Sequence, residues 1–258
     1  MLHFKEYGQG EPVLILHGLF GTADNWQTVA NQLATQFTVF AVDLRNHGRS
    51  FHSDDTFNYD ILANDIQDFM DKHWLYQTRL IGHSMGGKVA MQVALNDPDR
   101  IQKLAVIDIA PRAYRSGHEN IFQALNMLDL NTLKSRPQAE AFLMQQLEKD
   151  VPTVQFLLKN LSRRPSSEGG GFEWKMNLPV LQRDYSNILK PIVATDEPFE
   201  NPTLFVRGEL SRYIKDEDTL EMLKLFPKMR LETIPNAGHW VHANQPELLI
   251  KSLLTFLG

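Results

Sequence analysis

The chain has 258 residues, a formal net charge of −5 and no cysteine. That length suits one large domain, with room for an inserted segment, and the missing cysteines exclude disulfides, a thiolate nucleophile and a cysteine-ligated metal. The charge argues against a nucleic-acid partner, no apolar run reaches the ~20 residues of a membrane span, and the start "MLHFKEYGQGEP" lacks the basic-then-apolar layout of a signal peptide, so a cytoplasmic protein is expected.

Leu2–Tyr7 reads as a short strand and "GQGE" as a turn. Val13–Leu16 is apolar throughout, the mark of a strand buried on both faces. After "GLFGTADNW", Thr22, Asp24 and Asn25 are candidate caps for a helix reaching about Thr35. Phe37–Val42 is a second buried strand, ending in "DLRNHGRS", where Asp43, Arg45 and Asn46 read as a loop-organising ion network. Leu62, Ile66, Phe69, Met70 and His73 share one helical face. Thr78–Ile81 is a strand, Val89–Leu95 belongs to a helix that Pro98 stops, and Leu104–Ile109 is a further buried strand. Strands alternating with helices predict a mostly parallel twisted sheet flanked by helices on both faces.

The rhythm breaks from Arg112 to Glu200, where helical patterns such as Ile121, Leu125 and Leu128 run without a clear buried strand. It resumes with Pro202–Val206, a helix near Asp216–Leu225, a strand at Met229–Ile234, and a last helix with Leu249, Leu253 and Phe256 on one face. The expected organisation is a core of residues 1–111 and 201–258, with 112–200 inserted as a helical lid over the carboxyl edge of the sheet, where open α/β sheets place their ligands.

The chemistry concentrates in "LIGHSMGGKV". Gly82-His83-Ser84-Met85-Gly86 is G-x-S-x-G between a buried strand and a helix, a context that lifts the serine hydroxyl out of the sheet edge on a sharp turn. The bland alternative is a tight turn with Ser84 as a helix cap. A serine needs a base, and His239 in "PNAGHW" lies on a small-residue loop just after a strand. His242 is expected to face away, His83 to point to the other side of the turn, and His17 to hold its loop by hydrogen bonds. An oxyanion hole needs two N–H donors: Met85 supplies one and Leu19, in "HGLFG", the other, with Phe20 as the alternative.

The series "HGLFG", "DLRNHGRS", "GHSMGG" and "AGHW" resembles the α/β-hydrolase superfamily over essentially the whole chain, and "HGLFGTADNW", "VDLRNHGRS" and "VIDIAP" resemble more narrowly the small bacterial YbfF-type esterases, which have mitochondrial relatives among the abhydrolase proteins. The resemblance implies hydrolysis of esters or acyl thioesters without a metal or organic cofactor. Most of the superfamily carries the triad acid as G-x-x-D after the penultimate strand, but here Ser211 stands three after Gly208. Glu209, Asp216 and Asp218 are nearby substitutes, the last two reading as charge at a helix start. Asp108, ending the strand after the nucleophile helix, is the better candidate because it should emerge beside Ser84; YbfF-type esterases look similar at this position. Its structural alternative is an anchor for Arg112 or Arg115.

Three functions follow. The first is a serine carboxyl-ester hydrolase acting on a small acyl ester or thioester. The second uses the same triad on C–C bonds or lactones. The third is a non-turnover receptor or scaffold, favoured only by Ser211 at the usual acid position. The segment 112–200 has eleven Lys or Arg and eleven Asp or Glu, so bulk charge gives no support for coenzyme A binding. Oligomeric state is not legible.

Overall fold

The computed structural model describes residues 1–165, 167, 169–192 and 197–258. Of the polar tract 166–171 and the expected insertion 112–200, residues 166, 168 and 193–196 lie outside the described residues.

The chain begins with strands β1 (Phe4–Tyr7) and β2 (Glu11–Leu16). One turn of 3-10 helix at Ala23–Trp26 leads into α1 (Gln27–Leu33). The Thr22 N–H donates to the Asn25 side chain at 2.7 Å, closing the turn the capping residues foretold. Then follow β3 (Phe37–Val42), α2 (Tyr59–Lys72), β4 (Thr78–His83), α3 (Met85–Asn96) and β5 (Ile101–Ile107).

After β5 come α4 (Glu119–Met127), α5 (Arg136–Gln146) and α6 (Val151–Leu158). Next are β6 (Leu161–Arg163), β7 (Phe172–Trp174), α7 (Leu178–Arg183) and α8 (Tyr185–Ile188). The chain closes with β8 (Thr203–Gly208), α9 (Thr219–Leu225), β9 (Met229–Ile234), α10 (Val241–Asn244) and α11 (Pro246–Leu257).

Seven strands form one twisted sheet in the order β1-β3-β2-β4-β5-β8-β9, with only β1 antiparallel to its neighbour. Period-2 alternation divides the strands between two cores. Leu14, Leu16, Leu80, Leu104 and Val106 face α2 and α3, packing with Leu62, Ile66, Phe69 and Val89. Val13, Ile15, Ile81, Ala105 and Ile107 face α1 and α11, packing with Val29, Leu33, Leu249 and Leu253. With both faces covered, the central strands are apolar throughout, which is why they read as continuous runs.

Two readings need correction. The stretch between β5 and β8 is not helical alone: β6 and β7 pair antiparallel, Leu161 opposite Trp174 and Arg163 opposite Phe172. Three-residue strands are too short to leave a periodic signature. The "DLRNHGRS" loop is organised by backbone bonds more than by an ion network. The Asp43 carboxylate accepts N–H bonds from Ala23 at 2.7 Å and Arg49 at 2.9 Å, while Arg45 forks onto Asp65. Among the described residues no helix is long and apolar enough to cross a membrane.

Candidate active site

Register sets the site. His83 of β4 lies opposite Ile107 of β5, so the next residue of each strand, Ser84 and Asp108, leaves the carboxyl edge beside its neighbour. The Ser84 N–H donates to the Ile107 carbonyl at 3.0 Å, and the Asp108 N–H to the Val206 carbonyl at 2.7 Å. Both then turn sharply: Ser84 has φ +53° and Asp108 φ +54°. Two non-glycine residues in the left-handed region at adjacent strand ends store backbone strain. The turn at Ser84 requires Gly82 and Gly86, because a Cβ on Gly82 would enter the Gly86 carbonyl and one on Gly86 would enter the carbonyls of Leu16 and His17. Ser84 stands at the N-cap of α3 but makes no side-chain cap bond, so its hydroxyl is free for other work.

That hydroxyl donates to His239 Nε2 at 2.9 Å, and His239 Nδ1–H donates to Asp108 Oδ2 at 2.7 Å. A carboxylate can only accept, so this contact fixes the imidazole tautomer. Asp108 is 0% exposed, and its buried charge is satisfied three ways. Besides His239, the Gly208 N–H donates to Oδ1 at 3.0 Å and the Ser211 hydroxyl to Oδ2 at 2.5 Å. The structure therefore brings Ser84, His239 and Asp108 into one chain of hydrogen bonds. Ser211, which reads in the sequence as a missing acid, hydrogen-bonds the carboxylate of Asp108 at the end of β5.

The rival carboxylates stand elsewhere. Glu209 accepts the Asn236 N–H at 2.9 Å and so holds the loop that carries His239. Asp216 pairs with Arg207 at 2.6 Å, and Asp218 with Arg112 at 2.8 Å, which also removes Arg112 as a partner for Asp108.

The other histidines have structural duties. His17 Nε2 accepts the Leu44 N–H at 3.0 Å and Nδ1–H donates to the Gly18 carbonyl; burial lowers its pKa to about 4. His47 is lowered to about 3 by burial, then by His17 beside it. His242 stacks on Trp26 at 4.6 Å, and burial holds it near 3. His83 lines the smaller cavity beside Ser84, and its Nε2–H donates to the His239 carbonyl at 2.8 Å. That bond ties the residue before Ser84 to the backbone of His239, a link no spacing in the sequence announces. Tyr213 stacks on the His239 ring, with centroids 3.8 Å apart, and limits its rotation.

The two candidate oxyanion donors differ in their contacts. The Phe20 N–H is occupied by His47 Nε2 at 3.3 Å. Among the described residues the N–H groups of Leu19 and Met85 have no protein acceptor, and both residues line a cavity of about 170 Å³ that includes Ser84. A second, smaller cavity beside Ser84 is lined by His239, Trp240, Phe156 and Leu157 among others. Leu19, Ser84 and His118 are common to both.

Lys88, one turn into α3, was not singled out by sequence. It is 1% exposed, and Nζ donates to the carbonyls of Arg112 at 2.8 Å and Lys190 at 2.6 Å. Burial, reinforced by the Arg112 charge, lowers its pKa to about 7. Among the described residues no group of three or more His, Asp or Glu is arranged to hold a metal ion.

A parallel sheet covered on both faces, with a strained serine at a strand-to-helix turn and a histidine–carboxylate pair in reach, is the layout of a hydrolase built on an α/β sheet. A family model for the alpha/beta hydrolase fold matches residues 11–246, and the chain belongs to that family. It is 37% identical to "Esterase YbfF" of Escherichia coli over 249 residues, covering 95% of this chain and 92% of that protein. It is also 37% identical to "sn-1-specific diacylglycerol lipase ABHD11" of Danio rerio, covering 98% of this chain and 80% of that one. Among solved structures, a "Marine microorganism esterase" superposes with a TM-score of 0.95 at 42% identity, covering 99% of this chain and 98% of the other.

Proposed function

We propose that the protein is a serine carboxyl-ester hydrolase that works through an acyl-enzyme on Ser84. The observation that carries the reading is the hydrogen-bond chain from Ser84 through His239 to Asp108, at 2.9 and 2.7 Å, ending on a fully buried carboxylate. Esterase and lipase names among the relatives support it.

In this reading Ser84 Oγ attacks the ester carbonyl carbon while its proton passes to His239 Nε2. Asp108 holds the imidazole in its tautomer and stabilises the imidazolium. Charge on the carbonyl oxygen is met by the Leu19 and Met85 N–H groups and by the N-terminus of α3. Collapse breaks the ester C–O bond, and His239 returns its proton to the departing alcohol. Water, deprotonated by the same histidine, then releases the acid and restores Ser84. Acyl thioesters follow the same steps with a thiol leaving. No metal or organic cofactor enters the scheme, and residues 112–200 act as a lid over the cavity.

The test is labelling with a fluorophosphonate probe alongside turnover of p-nitrophenyl acetate and butyrate. Wild type should be labelled at Ser84 and active, and Ser84→Ala should lose both. Failure of the wild type to label and to turn over any ester would leave the scaffold reading in its place.

A further inference from the structure

The larger cavity beside Ser84 is lined mainly by aliphatic and aromatic side chains, and its two cationic residues, Arg115 and Arg212, are both solvent-exposed, which sets them at its opening. Its charge is one-sided. Among the described residues lining it there is no carboxylate, and His118, lowered to about 4 by burial, is neutral. The chain as a whole carries a net −5, so two unpaired guanidinium groups at this opening run against the average field. Several other arginines have acidic partners: Arg79 meets Glu11, Arg100 meets Asp71, Arg207 meets Asp216 and Arg230 meets Glu232; of those without one among the described residues, only Arg115 and Arg212 line this cavity. Arg115 and Arg212 have none among the described residues.

Their backbones are held although their side chains are free. Arg115 follows Tyr114, whose N–H donates to the Leu189 carbonyl at 2.8 Å and whose hydroxyl donates to the Tyr213 carbonyl at 2.6 Å. Arg212 lies between Ser211, which donates to Asp108, and Tyr213, which stacks on His239. The Tyr114 and Tyr213 rings face each other 5.4 Å apart. One tyrosine pair thus sets both arginine stems on the rim of one mouth, at a fixed relation to the reacting serine.

Which half of an ester meets this rim follows from proton transfer. The leaving oxygen must sit against His239 to receive its proton. His239 lines the second cavity and not the first, and that second cavity has no Lys, Arg, Asp or Glu in its lining. The alcohol therefore departs through the uncharged cavity, and the acyl chain lies in the larger one with its far end at the arginines.

The geometry points to acyl groups that end in a carboxylate: the preferred substrates are half-esters of dicarboxylic acids, with an apolar alcohol beside Trp240 and the free carboxylate between Arg115 and Arg212. Guanidinium groups match a carboxylate in charge and in planar fork geometry, and a low-dielectric cavity behind them strengthens the contact. The inference rests on the ester-hydrolase reading and adds the substrate class.

The experiment compares kcat/KM for monobenzyl succinate, glutarate and adipate with benzyl butyrate, valerate and hexanoate, in wild type and in Arg115→Gln/Arg212→Gln. Wild type should favour at least one half-ester over its neutral partner by about tenfold to a hundredfold, the scale of two charge-assisted contacts. The ratio should fall to near one in the double variant and shrink with added salt. The control Arg230→Gln, remote from the mouth, should keep the wild-type ratio. Equal or better turnover of the neutral esters by wild type would overturn the substrate class while leaving the hydrolase reading intact. An arginine-dependent preference for neutral acyl esters of anionic alcohols would overturn the assignment of the two cavities. Failure to cleave any of the esters would overturn both readings.

Discussion

Replacing Lys88 with methionine should make stability lose a specific dependence on pH. The folded protein holds this ammonium in a buried position under two carbonyls, and burial lowers its pKa from 10.5 to about 7. A folded pKa below the unfolded one means that the unfolded chain binds more protons between about pH 7 and pH 10.5. Stability from this site therefore rises with pH across that window and flattens below it, where both states are charged. The slope approaches RT ln 10 per pH unit, which integrates to about 2–3 kcal/mol between pH 7.5 and 9.5. The variant has no titrating group there. Its lost hydrogen bonds set a constant offset of about 1–3 kcal/mol for each stranded carbonyl. Urea unfolding of both proteins at the two pH values isolates the linked term, because other ionisations cancel in the difference. Wild type should gain about 2–3 kcal/mol on the variant as pH rises. A gap that stays constant would show that Lys88 titrates in the folded state as it does in the unfolded chain, and would refute the reasoning.

Substitutions at three positions test the carboxylate assignments by steady-state kinetics on a neutral ester. Asp108→Asn should lower kcat by about 10⁴, since it reverses the tautomer preference of His239. Glu209→Gln, which touches only the Asn236 N–H, should cost less than about tenfold; a loss equal to that of Asp108→Asn would move the acid role to Glu209. Ser211→Ala removes one of three bonds to the buried carboxylate and should lower kcat by about tenfold with KM little changed, while Ser211→Thr keeps most of the rate.

Much of the architecture was legible because each central strand is buried on both faces. Val13–Leu16 and Phe37–Val42 stand out as apolar runs, and the register that sets Asp108 beside Ser84 follows from one helix-plus-strand repeat. The loop histidine was legible for the same reason: it follows a strand whose end had to open at that edge. What was hidden depends on contacts between distant loops. Leu19 and Phe20 are equivalent as donors until His47, far along the chain, occupies one of them. Ser211 reads as a lost acid because sequence gives its position and not the hydroxyl's direction. Lys88 reads as an ordinary helix lysine because only the fold brings the carbonyls of Arg112 and Lys190 to it. The β6–β7 ribbon is too short for any period to show.

If the proposed acid comes from the end of β5, the placement has a consequence for how such a protein can change. Ser84 and Asp108 are joined by a single crossover through α3, so their separation is set by the rigid interior. The stretch after β8, relieved of delivering a carboxylate, contributes Ser211, Arg212 and Tyr213 to the rim and the supporting contacts instead. Alterations at its tip can thus retune what the opening admits while the reacting core stays put, a separation of duties that makes residues 212 and 213 a natural starting point for redesigning selectivity.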